Sequence, residues 1–243
     1  MSLRTFGVWI VLAGITVFFF FTSNGRHALV ETNQVEFMSI FLPQIIFGVW
    51  AVMSVYFDLI SADREHNVLD CILSSGVTKG QVFTAKLITT AVISLLLSFI
   101  YLTPIMTVIA GLSDVSIAAA TVGKYLFPFW GYIMVFAAMG VVISVLARSS
   151  KAAMIWSLAC GLILMPRFFI LIVDSIGAVF NLSEKVVNNL SLISPGVMME
   201  TLSNLNNIES WITATVGFSI SVVLLFVIAY VVFKNQDEYN YGE

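Results

Sequence analysis

Asp63 to Lys86 read DREHNVLDCILSSGVTKGQVFTAK. Acid, base and amide side chains crowd into this stretch, while the chain around it is almost all hydrocarbon. Of 243 residues 59% are hydrophobic and 10% charged, and the mean hydropathy is +1.00. Soluble domains carry roughly 25% charged residues, so this composition belongs to a bilayer. The net charge of −3 leaves no basic surface for nucleic acid. Cys71 and Cys160 fall in different segments, one polar and one apolar, and read as plain thiols rather than a disulfide.

Apolar windows long enough for ~30 Å of hydrocarbon flank the stretch on both sides. They run over 6–22, 37–60, 87–110, 125–146, 151–173 and 211–233. The first lacks a small-residue cleavage site after it and reads as a retained span rather than a signal peptide. Backbone groups inside lipid must be satisfied within the segment, and no alternating strand pattern is present, so the windows predict six helices. Basic residues set the orientation. With the N-terminus inside, Arg4, Arg64, Lys79, Lys86, Arg148, Lys151 and Lys234 are cytoplasmic, against Arg26, Lys124 and Lys185 outside. Both termini and the 63–86 stretch are then cytoplasmic. Residues 174–210 fall outside, too apolar for a free loop and too short to span, which suits an interfacial or re-entrant piece.

Wound as a helix, Asp63–Ser74 places Asp63, Asn67, Asp70 and Ser74 on one side and Leu69, Ile72 and Leu73 on the other. Gly76 is placed to end it, because glycine takes the left-handed C-terminal conformation cheaply. Thr78–Gln81, TKGQ, has the capping-box pattern that starts a second helix near Lys79. Such a helix can lie on lipid, apolar side down. Its acidic balance, Asp63, Glu65 and Asp70 against Arg64, gains little from an anionic leaflet and favours a protein partner.

These residues resemble the permeases of bacterial type-2 ABC exporters. That family's pattern is roughly E-R-E-x-G-T-L-E-x-L-L-x-x-P-V, with G-K some residues later. Arg64, Glu65, Leu69, Asp70, Ile72, Leu73, Val77 and Lys86 match it. Asn67-Val68 replaces Gly-Thr, Gly76 replaces Pro, and Ala85 replaces Gly. The six windows and the SP of LISPGVMMETL before the last span agree with the same family.

The resemblance implies an all-α membrane protein, one permease domain over 1–243. It has six transmembrane helices, a cytoplasmic coupling helix between spans two and three, and a re-entrant or extracellular helical segment between spans five and six. Asp63, Arg64, Glu65, Leu69, Asp70, Ile72, Leu73 and Gly76 would couple to a separate ABC ATPase. Two copies of that ATPase would bind ATP and Mg. A second copy of this chain, or a homologous permease, would complete the path, surrounded by membrane lipids in the bacterial cell membrane.

No phosphate loop G-x-x-x-x-G-K-[ST] occurs, so ATP hydrolysis is expected in another chain and no cofactor in this one. LSSGV at 73–77 lacks the second glycine of the ABC signature. Zinc spacings and a nucleophile triad are absent, and His27 and His66 read as lone solvated side chains, which disfavours an enzyme.

By the same resemblance, spans two and five line a central cavity. Phe47, Trp50, Met53 and Phe57 on one, and Met154, Leu158, Leu162 and Met165 on the other, are the candidates. A Met- and Phe-rich path suits hydrophobic or amphipathic cargo: a peptide, antimicrobial peptide, drug or lipid. Arg167 reads either as an outer interfacial anchor or as part of an outer gate or cargo site. Gly140 and Ser144 in span four, with Ala153, Ser157 and Gly161 in span five, predict a tight antiparallel pair. An ATPase-independent immunity or membrane-stress protein is the competing reading, and a channel a third, disfavoured by the scarcity of polar residues in the spans.

Overall fold

A computed structural model describes residues 3–22, 41–112, 119–201 and 208–236. The described residues form helices joined by short turns, with no strand among them. In chain order they form α1 (Leu3–Thr22), a π-helical turn (Gln44–Gly48), α2 (Val49–Tyr56), α3 (Ser61–Glu65), α4 (Val68–Ser74) and α5 (Lys79–Leu112). Then follow α6 (Ala119–Leu146), α7 (Ser150–Ile163), α8 (Pro166–Phe180), α9 (Glu184–Ser191), α10 (Pro195–Thr201) and α11 (Ile208–Asn235).

Among the described residues three helical stretches are long and apolar enough to cross a membrane: Lys79–Gly111, Tyr125–Leu146 and Trp211–Asn235. A fourth is the pair α7–α8, bent by 70° at 164–165 where Pro166 begins the second helix. Proline has no N–H to donate and clashes with the preceding turn, so the helix stops there. The two N-terminal windows form shorter apolar helices, Gly7–Thr22 and Phe41–Met53. The second of these contains the π-helical turn directly after Pro43. With 34 residues α5 rises roughly 50 Å, more than the ~30 Å of hydrocarbon a span needs to cross.

The core is aromatic. Trp9, Phe41, Tyr101, Phe129, Tyr132, Phe136 and Phe218 are buried together where α1, α2, α5, α6 and α11 meet. Ring pairs such as Tyr101–Phe129, with centroids 4.9 Å apart, tie α5 to α6. Gly131 lets α6 and α11 close: a Cβ there would lie 3.2 Å from the Phe218 side chain.

α6 and α7 are in contact, but Gly140, Ser144 and Gly161 meet the chain at 50–61 rather than one another. A Cβ on Gly140 would sit 3.0 Å from Tyr56 Cβ and 3.3 Å from its carbonyl carbon, and one on Gly161 would sit 2.6 Å from Trp50 Cδ1. Ser144 Oγ accepts from the backbone N–H of Ile60 (2.8 Å) and of Ser61 (3.0 Å). At Gly161 the Trp50 ring fills the gap, and at Gly140 the missing side chain lets the backbone at the end of α2 come close.

Gly140→Ala should destabilise the bundle by about 1–3 kcal/mol, because the added methyl meets Tyr56 backbone, which cannot rotate away. Thermal unfolding in detergent reads this. Ala153, on the same pair of helices, tolerates the reverse change to Gly with a smaller loss, of about 1 kcal/mol.

Candidate functional site

The polar stretch forms an elbow between α2 and α5, but not as one continuous helix. Asn67 adopts the left-handed conformation, φ 55° and ψ 17°, and separates α3 from α4. Asparagine enters that region more readily than most residues. The two-faced helix read over Asp63–Ser74 is therefore corrected. Asp63, Arg64 and Glu65 belong to one short helix, and Leu69, Asp70, Ile72 and Leu73 to the next, with a changed direction between them.

Beyond the break the expectations hold. Leu69 is buried, and Ile72 and Leu73 pack half-buried on the cluster of Ile60, Val82, Phe83, Met134, Val145 and Phe233. Val68, Asp70, Cys71 and Val77 are exposed on the other side. Gly76 closes α4 at φ 88°. The capping box forms in full: Thr78 N donates to Gln81 Oε1 (2.9 Å), and Gln81 N donates to Thr78 Oγ1 (3.3 Å).

The charges of α3 face into the chain. Arg64 Nη1 donates to the carbonyls of Val145 and Ala147, both at 3.2 Å, at the C-terminal end of α6. Its Nη2 donates to Gln236 Oε1 at 2.6 Å, and Gln236 Nε2 donates to Val145 O at 3.0 Å. Lys79 Nζ donates to the Gln236 carbonyl. Glu65 Oε2 accepts from Ser150 N at 2.9 Å, at the first residue of α7. A cation thus sits at a helix C-terminus and an anion at a helix N-terminus, each the sign that the helix end favours. Lys86 pairs with Asp63 at 2.5 Å and ties α5 to α3.

The candidate path residues do not converge on one cavity. Met53 is buried in the core and lines nothing. Trp50 packs over Gly161, and Phe57 and Met165 are half-buried. Phe47, Met154, Leu158 and Leu162 are exposed apolar side chains on the bundle surface. Gly76 and Asp70 remain on the exposed side of the elbow.

At the opposite end of the bundle Arg167 is exposed in the first turn of α8. Nearby burial pushes the Glu200 carboxyl above its ordinary range, and Arg167 opposes that rise. Ser194 Oγ donates to Leu164 O at 3.0 Å, answering a carbonyl left open by the break before Pro166. Gly196 lies so near Pro166 that a Cβ would come within 2.5 Å of its ring. The SP pair of the sequence is thus a clasp on the bent pair.

Reading the spans as nearly free of polar groups missed a ladder on α5. Thr90, Ser94 and Ser98 are fully buried at four-residue spacing, each hydroxyl donating to the carbonyl one turn back. Ser94 Oγ also bonds Tyr56 Oη at 3.0 Å, and Thr16 Oγ1 bonds Tyr101 Oη at 2.7 Å. The spacing was the available signal.

The Ser150 N–H, followed by its hydroxyl, holds the exposed Glu65 carboxyl below its ordinary range. A carboxyl lowered on folding adds stability that is complete above its unfolded value and lost as pH falls through the folded one. The Ser150 amide should therefore keep its exchange protection down to pH about 4, the ordinary glutamate value, and lose it only below. Glu65→Ala should remove that protection at every pH, read by hydrogen exchange corrected for intrinsic rate.

A family model described as ABC-2 family transporter protein matches residues 26–238. No curated protein matches the chain.

Proposed function

The chain belongs to the ABC-2 transporter family and is a membrane transport component, and from that premise we propose that it is the permease subunit of an ATP-driven exporter. Six helical segments cross the membrane, with α1 and the Phe41–Tyr56 segment supplying the two shorter spans. Both termini and the elbow at 61–78 are cytoplasmic, and the membrane is the bacterial cell membrane. ATP and Mg are bound by ABC ATPase subunits, two per complex, encoded apart from this single permease domain. A second copy of the chain or a homologous permease completes the path.

One observation carries the coupling role. The short helix α4 is held by Leu69 on its inner side and presents Asp70, Val68 and Cys71 outward. A helix so seated can receive a push from outside without leaving the bundle, and its exposed face mixes an acid with apolar contact area. Gly76 gives the corner its left-handed turn. The cargo is hydrophobic or amphipathic, a peptide, drug or lipid. This rests on the apolar character of Phe47, Met154, Leu158 and Leu162, which point outward from spans two and five. Arg167, at the far end of the bent pair, would meet an anionic group on such cargo.

Copurification in mild detergent tests the reading. The wild-type chain should carry an ATPase with it. Asp70→Lys should weaken that association at least tenfold, about 1.4 kcal/mol, while helical content and membrane insertion stay unchanged. A wild-type chain that isolates with no nucleotide-hydrolysing protein removes the permease reading and leaves the immunity or stress protein in its place.

A further inference from the structure

Resting on that reading, we infer that Arg64 and Glu65 are positioning residues which lock the coupling element to the α6–α7 corner. Movement of α4 is thereby delivered to spans four and five, and not to α5 alone.

The covalent routes from α4 run through residues 75–78 into α5 and back through 66–67 into α3 and α2, and neither reaches α6 or α7 directly. If that were the whole connection, a push on α4 would tilt α5 and leave α6 and α7 behind. The side chains supply a further route. The fork of Arg64 reaches two carbonyls at the end of α6, Val145 O and Ala147 O, and a third acceptor on Gln236 after α11. The adjacent Glu65 takes the Ser150 N–H at the start of α7. Neighbouring residues of one short helix thus hold the last turn of one span and the first turn of the next. Gln236 returns a bond to Val145 O and accepts from Lys79 at the head of α5, so the last span joins the same knot. Leu69 is buried in the cluster that includes Val145, so α4 bears on the end of α6 through apolar contact as well.

Both charges were candidates for direct contact with an ATPase. In the structure the Arg64 guanidinium is bonded within the chain and Glu65, though exposed, takes the Ser150 N–H through Oε2, while Asp70 lies on the outer side of α4. The two roles make opposite demands on conservative changes. A residue that acts by charge on a partner tolerates Arg64→Lys and fails on Glu65→Gln. A residue that acts by bonding helix ends fails on Arg64→Lys, since an ammonium lacks the planar fork. It tolerates Glu65→Gln, whose amide oxygen still accepts from Ser150 N.

The complex with its ATPase gives a readout that needs no cargo. Spin labels at the native exposed Cys71 on α4 and at Met154→Cys on α7, with Cys160→Ala, report the distance between the two elements. It is compared without nucleotide and after trapping with ATP, Mg and vanadate. In the otherwise wild-type background and in Glu65→Gln the distance should stay constant, because α4 and α7 move as one piece. In Arg64→Lys it should shift on trapping, while ATPase association is unchanged. Gln236→Ala, which leaves Arg64 in place and removes one acceptor, should give a smaller shift and serves if Arg64→Lys fails to fold. The inference is overturned if Arg64→Lys loses the ATPase, if its distance stays constant, or if the unmodified brace already lets the distance change. Absence of any ATPase on the unmodified chain is a separate result, which removes the permease reading and this inference with it.

Discussion

Every helix end at the edge of hydrocarbon leaves backbone groups that neither lipid nor the helix itself can satisfy, and the elbow is built from the answers to that constraint. Ser144 takes the N–H groups of Ile60 and Ser61 where the chain leaves α2. Arg64 takes the carbonyls where α6 stops, and Glu65 takes an N–H where α7 starts. Gln81 and Thr78 cap α5 reciprocally. None of the first three answers comes from the segment whose ends need it. The corner at 61–65 therefore cannot separate from the corner at 147–150 without exposing unpaired backbone at both. A polar cluster in an apolar chain is what such a joint requires, whether or not anything binds to it.

Inside the bilayer there is no hydrophobic force between helices, and close packing with interhelical bonds must do the work. Two patterns supply it. The Trp50 ring of α2 lies over Gly161 of α7, the backbone at Tyr56 comes up to Gly140 of α6, and Phe218 of α11 lies over Gly131. Hydroxyls of α5 satisfy their own backbone and then offer a second contact, as Ser94 does to Tyr56. A buried hydroxyl that already donates to the carbonyl one turn back costs little, and so it can occupy a span without being a transport site.

The sequence carried the local grammar well. Glycine at 76, the TKGQ box and the break at Pro166 were readable because each follows from backbone chemistry over three or four residues. The break at Asn67 was half visible: the family pattern has glycine there, and asparagine is the residue that can stand in for it at a left-handed position. Partners were the part that could not be read. Ser144 and Gly140 were recognised as small, yet their spacing says only that something comes close, and α2 is far away in sequence. Arg64 and Glu65 looked like surface charges because their bonding partners, Val145, Ala147, Ser150 and Gln236, lie 81 to 172 positions on. Met53 fell on the same helical stripe as Phe47 and Trp50, but the π-helical turn and the close fit against α6 turn it into the core.

The irregular backbone of the spans is not spread evenly. The elbow end is cross-bonded by α3, whereas the π-helical turn at Gln44–Gly48 and the bend before Pro166 both lie toward the other end. They also meet. Gly196 of α10 sits against Pro166, and its position is 3.7 Å from an Ile45 methyl, so one small residue bridges the break in each span. A π-turn and a proline break are the places where a helix changes direction at least cost to its hydrogen bonds. A stiff joint at one end and paired breaks at the other distribute compliance along the molecule. Ile45, Pro166 and Gly196 come together at that end. Ser194, bonded to Leu164 O, ties the segment before α10 to the bend itself, so the break is held by a hydrogen bond as well as by the Gly196–Pro166 fit.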